Sequence, residues 1–152
     1  MTLPYREGTW FAVPLRGRGH AIGVVARASQ GGGILLGYFF GPRRENIPSH
    51  REVSTLVPDD AVLVAMFGDM GLIDGTWPIL GSERAWQRSD WPVPDFVRSD
   101  PDSGRWWRVR YSDHDPNEVI EEIPLSGPDQ NLPRDRLCGA GSIEVQLGQL
   151  LP

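Results

Sequence analysis

Thr9-Trp10-Phe11-Ala12-Val13-Pro14-Leu15, then His20-Ala21-Ile22-Gly23-Val24-Val25-Ala26-Arg27-Ala28, then Ile34-Leu35-Leu36-Gly37-Tyr38-Phe39-Phe40 form the stretch that decides the fold. In the first run Phe11, Val13 and Leu15 recur at period two, the spacing of a strand with one buried side. Pro14 has no backbone N–H to give to a ladder, so it marks an edge strand or a strand end. Arg16-Gly17-Arg18-Gly19 is a tight polar turn, after which Ile22, Val24 and Ala26 resume the alternation, and the two runs read as a hairpin. Ser29-Gln30-Gly31-Gly32-Gly33 is a second connection of that kind, because successive glycines accept positive φ without a Cβ clash. Both faces of the third run are apolar, which predicts burial on both sides or sharp curvature at Gly37. Residues 9–40 therefore read as a three-stranded meander.

Outward from the meander, residues 41–58 are bracketed by Pro42, Pro48 and Pro58 and read as a loop with one short helical turn. Residues 61–67 form the most hydrophobic strand. Gly68 to Gly71 turns the chain, residues 72–80 are extended, and a strand falls at 76–80, where Pro78 biases Trp77 away from helical geometry. Residues 82–104 read as an ordered loop anchored by Trp86, Trp91 and Phe96. Residues 105–111 alternate Trp107/Val109/Tyr111 against Trp106/Arg108/Arg110, and 118–124 pair with them across the Asp113-His114-Asp115-Pro116-Asn117 turn. Ile143, Leu147, Leu150 and Leu151 follow the i, i+4, i+7, i+8 spacing of a helix with Ser142 as its N-cap. Ile143/Val145/Leu147 leaves a terminal strand as the alternative. The expected class is mainly β with minor α (α+β): a curved antiparallel sheet or partly open β-barrel with a C-terminal helix, in one domain spanning 1–152.

Composition narrows the function classes. A chain of 152 residues has room for one core, and its 18 glycines and 14 prolines disfavour a helical bundle. The net charge is −5 and every cation is arginine, whereas a nucleic-acid binder of this size is usually basic. The longest apolar run, 61–67, is far short of the roughly 20 residues that a helix needs to cross a bilayer. A single cysteine, Cys138, and an amino terminus without a cationic start and apolar run predict a cytoplasmic setting.

No constellation in the sequence reads as catalytic. Asp113, His114 and Asp115 are neighbours whose side chains diverge in extended backbone, and His20, His50 and His114 lack metal-ligand spacing. Gly139-Ala140-Gly141 lacks the third glycine of a dinucleotide fingerprint. No cofactor and no metal is expected, and an enzyme would require Cys138 to meet a histidine in space. The six tryptophans are more informative. Trp106 and Trp107 cannot both point inward from a regular strand, and Trp106 with Arg108 and Arg110 has the composition of a protein-binding hot spot. The alternative is that the 82–104 loop covers Trp106. A second candidate surface is acidic, with Asp59, Asp60, Asp69 and Asp74 at turns beside the hydrophobic strand. They are either simply solvated or complementary to a basic cleft.

Gly8-Thr9-Trp10-Phe11-Ala12-Val13-Pro14-Leu15, the Gly17-Arg18-Gly19 turn and the Gly23-Val24 strand resemble the amino-terminal signature of the immunity protein 26 family. Gly75-Thr76-Trp77-Pro78-Ile79-Leu80-Gly81 and Pro94-Asp95-Phe96 resemble two later segments of it, so that the likeness runs over residues 5–125. The resemblance implies a cytoplasmic bacterial protein that binds a cognate polymorphic toxin and neutralises it by occlusion, without turnover. The partner is then a toxin protein, with neither nucleic acid nor membrane. The alternative is a small-molecule or regulatory binding domain on a β-barrel scaffold. A closed aromatic pocket lined by Trp77, Trp86 or Trp107 would favour that alternative, and a flat Trp/Arg or Asp patch would favour a protein partner.

Overall fold

The computed structural model describes residues 2–152. In chain order the elements are β1 (Thr9–Pro14), β2 (His20–Ala28), β3 (Ile34–Arg44), α1 (His50–Val53), β4 (Leu63–Gly68), α2 (Met70–Asp74), β5 (Ile79–Ser82), β6 (Phe96–Ser99), β7 (Trp106–Tyr111), β8 (Val119–Leu125), β9 (Leu137–Cys138) and α3 (Ala140–Leu150). A six-stranded sheet runs β5-β1-β2-β3-β4-β9 and a three-stranded sheet runs β6-β7-β8. All pairings are antiparallel except β4 with β9. Mainly β with minor α is thus the observed class, with curved, unclosed sheets and a C-terminal helix. No helix among the described residues is long and apolar enough to cross a membrane.

Burial on both sides, one of the two readings of the third apolar run, is what the structure adopts. On one face of the large sheet Phe11, Val13, Val25, Leu35, Phe39 and Phe67 form a cluster closed by Ile143 and Leu147 of α3, with Leu151, Leu72 and Trp77. On the other, Trp10, Ile22, Val24, Leu36, Tyr38 and Phe40 pack beneath Val53 of α1, Trp91 and Phe96 of β6. The sheet is therefore a middle layer, with α3 on one side and the small sheet on the other.

Register explains the fit of the α3 side. Phe11 lies opposite Gly23, which lies opposite Phe39. A Cβ on Gly23 would stand 2.4 Å from Phe11 Cζ, and one on Gly37 would stand 2.6 Å from Phe67 Cε1. The missing side chains give the aromatic rings room to lie flat on the strands. Trp77 stacks on Phe11 at 5.5 Å between centroids and on Phe67 at 5.7 Å. Its indole N–H donates to Glu144 Oε2 at 2.9 Å, which ties this cluster to α3.

Several elements differ from the sequence reading. Of the two readings of Pro14 the strand end is the one observed, since Pro14 closes β1, while β1 itself lies inside the sheet between β5 and β2. β3 continues to Arg44, into residues read as loop. The extended segment expected from Leu72 begins instead as α2, closed by Gly75 at φ 82°, and the following strand is Ile79–Ser82 instead of 76–80. The 82–104 loop contains β6, and Arg136 is followed by the two-residue β9. The C-terminal stripe is helical, but its N-cap is Gly139, so Ser142 sits inside α3.

The seating of rings on glycines generates a test. Gly23→Ala is expected to destabilise the fold by about 1–3 kcal/mol, lowering Tm by about 3–10 °C. Gly127→Ala, where a Cβ meets nothing within 4 Å, should leave Tm unchanged. Thermal unfolding of the two variants checks this, and an unchanged Gly23→Ala would contradict the packing argument.

Candidate functional site

The small sheet has an inner and an outer face, and its register assigns the residues. Ser99, Trp106 and Leu125 are in line across the strands, as are Val97, Arg108 and Ile123, and Arg110 lies opposite Glu121. The alternation read from the sequence thus places Trp106, Arg108 and Arg110 on one face. Phe96 and Val109, both fully buried, occupy the other, toward the large sheet. The Arg108 and Arg110 side chains are 42% and 50% exposed.

Asp95, immediately before β6, organises this face. Its side chain is only 12% exposed and receives Arg108 Nε at 2.6 Å and Arg110 Nε at 3.1 Å. These bonds, that of Arg110 first, hold its carboxyl below the usual carboxylate range. Arg110 Nη1 also donates to Glu121 Oε2 at 3.1 Å on β8. Both guanidinium groups are therefore held in place while remaining open to solvent. Trp106 is half-buried, lies opposite Ser99 of β6, and has the Arg134 guanidinium over its ring at 5.3 Å. Arg134 arrives there because its segment docks along the edge of β6, where Val97 N donates to Pro133 O at 2.9 Å and Asp135 N to Val97 O at 2.8 Å.

A charge cluster links this sheet to the large one. Arg27, 3% exposed, donates through Nη2 to Asp113 Oδ1 at 2.8 Å, and Arg88 reaches Asp113 Oδ2 at 3.0 Å and Glu7 Oε1 at 2.7 Å. The Arg27 bond, with the Arg88 charge behind it, depresses the Asp113 carboxyl. Asp113 in the turn before β8 thus serves as a countercharge, with both oxygens taken. Arg27, Arg88, Asp95, Arg110, Asp113 and Ile120 border an open cleft of about 580 Å³.

The acidic turns lie at opposite ends of β4. Asp59 and Asp60 lie in the 3₁₀ turn Pro58–Asp60 before β4, whereas Asp69 and Asp74 flank α2 after it. A six-residue strand separates the pairs by about 20 Å. Two of the four carboxylates, Asp60 and Asp74, serve their own turns, and Asp69 ties its turn to distant segments. Asp60 accepts from Val57 N, Asp69 from the Tyr5 hydroxyl at 2.7 Å and Gly33 N at 3.0 Å, and Asp74 from Thr76 N at 2.8 Å. The backbone bond from Thr76 lowers the Asp74 carboxyl.

The convergence that a thiol enzyme needs is not formed between Cys138 and His50. Cys138 in β9 is buried and meets Gln146 Nε2 at 3.4 Å. His50 packs against Gly81 of β5 and bonds Glu83 Oε1 at 3.1 Å. β5 and β9 are opposite edges of the large sheet, with four strands between them. Of Trp77, Trp86 and Trp107, the tryptophans whose closed pocket would favour a small molecule, Trp86 borders a cleft, and that cleft is open. Trp77 is in the α3-side core and Trp107 is half-buried on β7. Trp86 stacks on Trp91 at 5.3 Å beside an open cleft of about 280 Å³.

Sequence reasoning missed Asp95, Arg134 and the exposed apolar residues of β8. Asp95 and Arg134 lay in segments read as loops, and only the pairing of strands brings them to Trp106, Arg108 and Arg110.

The architecture is thus a middle sheet covered on both sides, with a small second sheet whose outer face carries paired charges. The model of the family described as immunity protein 26 matches residues 6–108, more than half of the chain. The chain belongs to the immunity protein 26 family. No curated protein and no solved structure matches it.

Asp95 supplies the test of this geometry. Its ionised form is the one the fold favours, so its contribution is complete above the ordinary carboxylate range and is lost as pH falls through its depressed folded value. Asp95→Asn is expected to lower Tm by a few degrees at pH 7, with the difference from the parent closing below about pH 4. A difference that is the same at both pH values would contradict the assigned role.

Proposed function

We propose that this chain binds a cognate bacterial polymorphic toxin in the cytoplasm of the producing cell and neutralises it by covering its working surface, without turnover. The whole of 1–152 acts as one unit, and the partner is a protein, neither nucleic acid nor membrane. The observation that carries this reading, beside the family, is the outer face of the small sheet. Trp106, Arg108 and Arg110 stand together there, immobilised by Arg134 and Asp95. Tryptophan and arginine dominate protein-binding hot spots, and residues held in their bound arrangement before contact lose less entropy on binding.

The acidic turns have a secondary role in this proposal. Asp59 and Asp60, at one end of β4, and Asp69 and Asp74, at the other, add to a chain of net charge −5. Such a charge speeds the approach of a basic partner. The small-molecule alternative has less support because the clefts beside Arg27 and Trp86 are open, where it asks for a closed aromatic pocket.

The experiment is co-expression with the toxin-like protein encoded beside this chain. The reading predicts rescue of growth and co-purification. Trp106→Ala with Arg108→Ala is expected to weaken binding about 30-fold or more. Unchanged killing with no complex would overturn the proposal, and full affinity in the double variant would remove this face from it.

A further inference from the structure

Resting on the proposed toxin-binding reading, we infer that the toxin docks by adding an extended segment, bearing basic and apolar side chains, to the free edge of β8. The small sheet has two edges. That of β6 is occupied by the segment at Pro133 to Asp135 through the Val97 bonds. That of β8 is open, since its residues pair with β7 and with no other backbone among the described residues. Six of its seven residues are exposed, including Val119 at 41%, Ile120 at 54% and Ile123 at 39%. An edge with unpaired backbone groups and apolar side chains is a template for a further strand.

Pro124 fixes the geometry of this edge. It lies opposite Trp107 and has no N–H to give, so its nitrogen faces away from β7. Glu122, two residues earlier in the same strand, then turns its own N–H and C=O outward. Pro124 also ends the available ladder, which confines the added segment to residues 119–123.

Chemistry selects the occupant. Glu118, Glu121 and Glu122 are the only charged side chains between Asn117 and Leu125; Glu121 and Glu122 pair with Arg110 and Arg98 across the small sheet, while Glu118 has no ion-pair partner among the described residues. A segment with Lys or Arg complements Glu118 and the exposed carboxylate oxygens of Glu121 and Glu122, and its apolar side chains meet Ile123 and, beyond the irregularity in register, Ile120. Ile123 is in line with Arg108, and Glu121 with Arg110, so the added strand extends the face already described. A second copy of the chain is a poor occupant. Antiparallel self-pairing about the outward-facing Glu122 sets that carboxylate opposite its own copy, and like charges directly opposite destabilise a pair.

The test compares Glu122→Pro with Glu122→Ala against the toxin-like protein encoded beside this chain. Proline removes one outward N–H and leaves the β7 ladder intact, while both variants lose the ion pair with Arg98. With both variants monomeric and folded by circular dichroism, Glu122→Pro is expected to bind about tenfold or more weakly than Glu122→Ala. Hydrogen exchange at the Glu122 amide should slow in the parent complex. Equal affinities with an unprotected amide would overturn the inference while leaving the toxin-binding reading in place. Absence of any complex with the parent chain would overturn both. A parent dimer that Glu122→Pro dissociates would assign the edge to a second copy and overturn the inference.

Discussion

The seating of Phe11, Phe39 and Phe67 over Gly23 and Gly37, with Trp77 stacked on Phe11 and Phe67, is the constraint on which the rest of the structure depends. Rings this large fit on a sheet only where neighbouring strands lack side chains, and the two glycines stand where those rings lie. Trp77 then fills the space between Phe11 and Phe67 and offers its N–H to Glu144, so the same cluster fixes where α3 lies. Because α3 covers that face, the opposite face of the sheet is left for Trp10, Tyr38, Phe40 and Trp91. The Tyr38 hydroxyl donates to Pro92 O, and burial pushes it up to about 12. The chain leading to β6 is thereby held to the large sheet.

From this packing the placement of the outer face follows. Phe96 and Val109 point inward, and strand alternation turns Trp106, Arg108 and Arg110 outward. A buried arginine would be costly on its own, yet Arg27 has Asp113 as its partner, and that pair joins the β7–β8 turn to β2. The small sheet is thus fixed by aromatic packing on one flank and by a charge cluster on the other. What remains exposed is its outer side and the edge of β8.

Periodicity carried the elements whose faces differ in polarity or whose ends carry turn residues. β2 runs from His20 to Ala28 as its alternation required, and Trp106, Arg108 and Arg110 share a face because period two leaves no choice. The four-residue strand β6 and the two-residue β9 were illegible because so short a run has no period, and both exist through their partners. α2 takes residues that the sequence divides between the Gly68–Gly71 turn and the extended run from Leu72, because five residues closed by the Gly75 cap are too few to show a helical period. The helix cap moved from Ser142 to Gly139 because the chain enters α3 directly from β9. Of the candidate site, the Trp/Arg trio was legible as a face, while Asp95 and Arg134 depended on contacts between distant segments. For the aspartates, their place at turns was legible, while the length of β4 between the two pairs came only with the strand itself.

The central claim is that this chain acts by stoichiometric occlusion of a protein partner. It is tested most directly by titrating the purified chain into a fixed concentration of the toxin-like protein encoded beside it and following toxin activity to completion. The account predicts a linear fall that reaches zero at one chain per toxin, with activity regained when the complex is dissociated. Complete and lasting inactivation by a small fraction of an equivalent would mean that the chain turns over, and would contradict it.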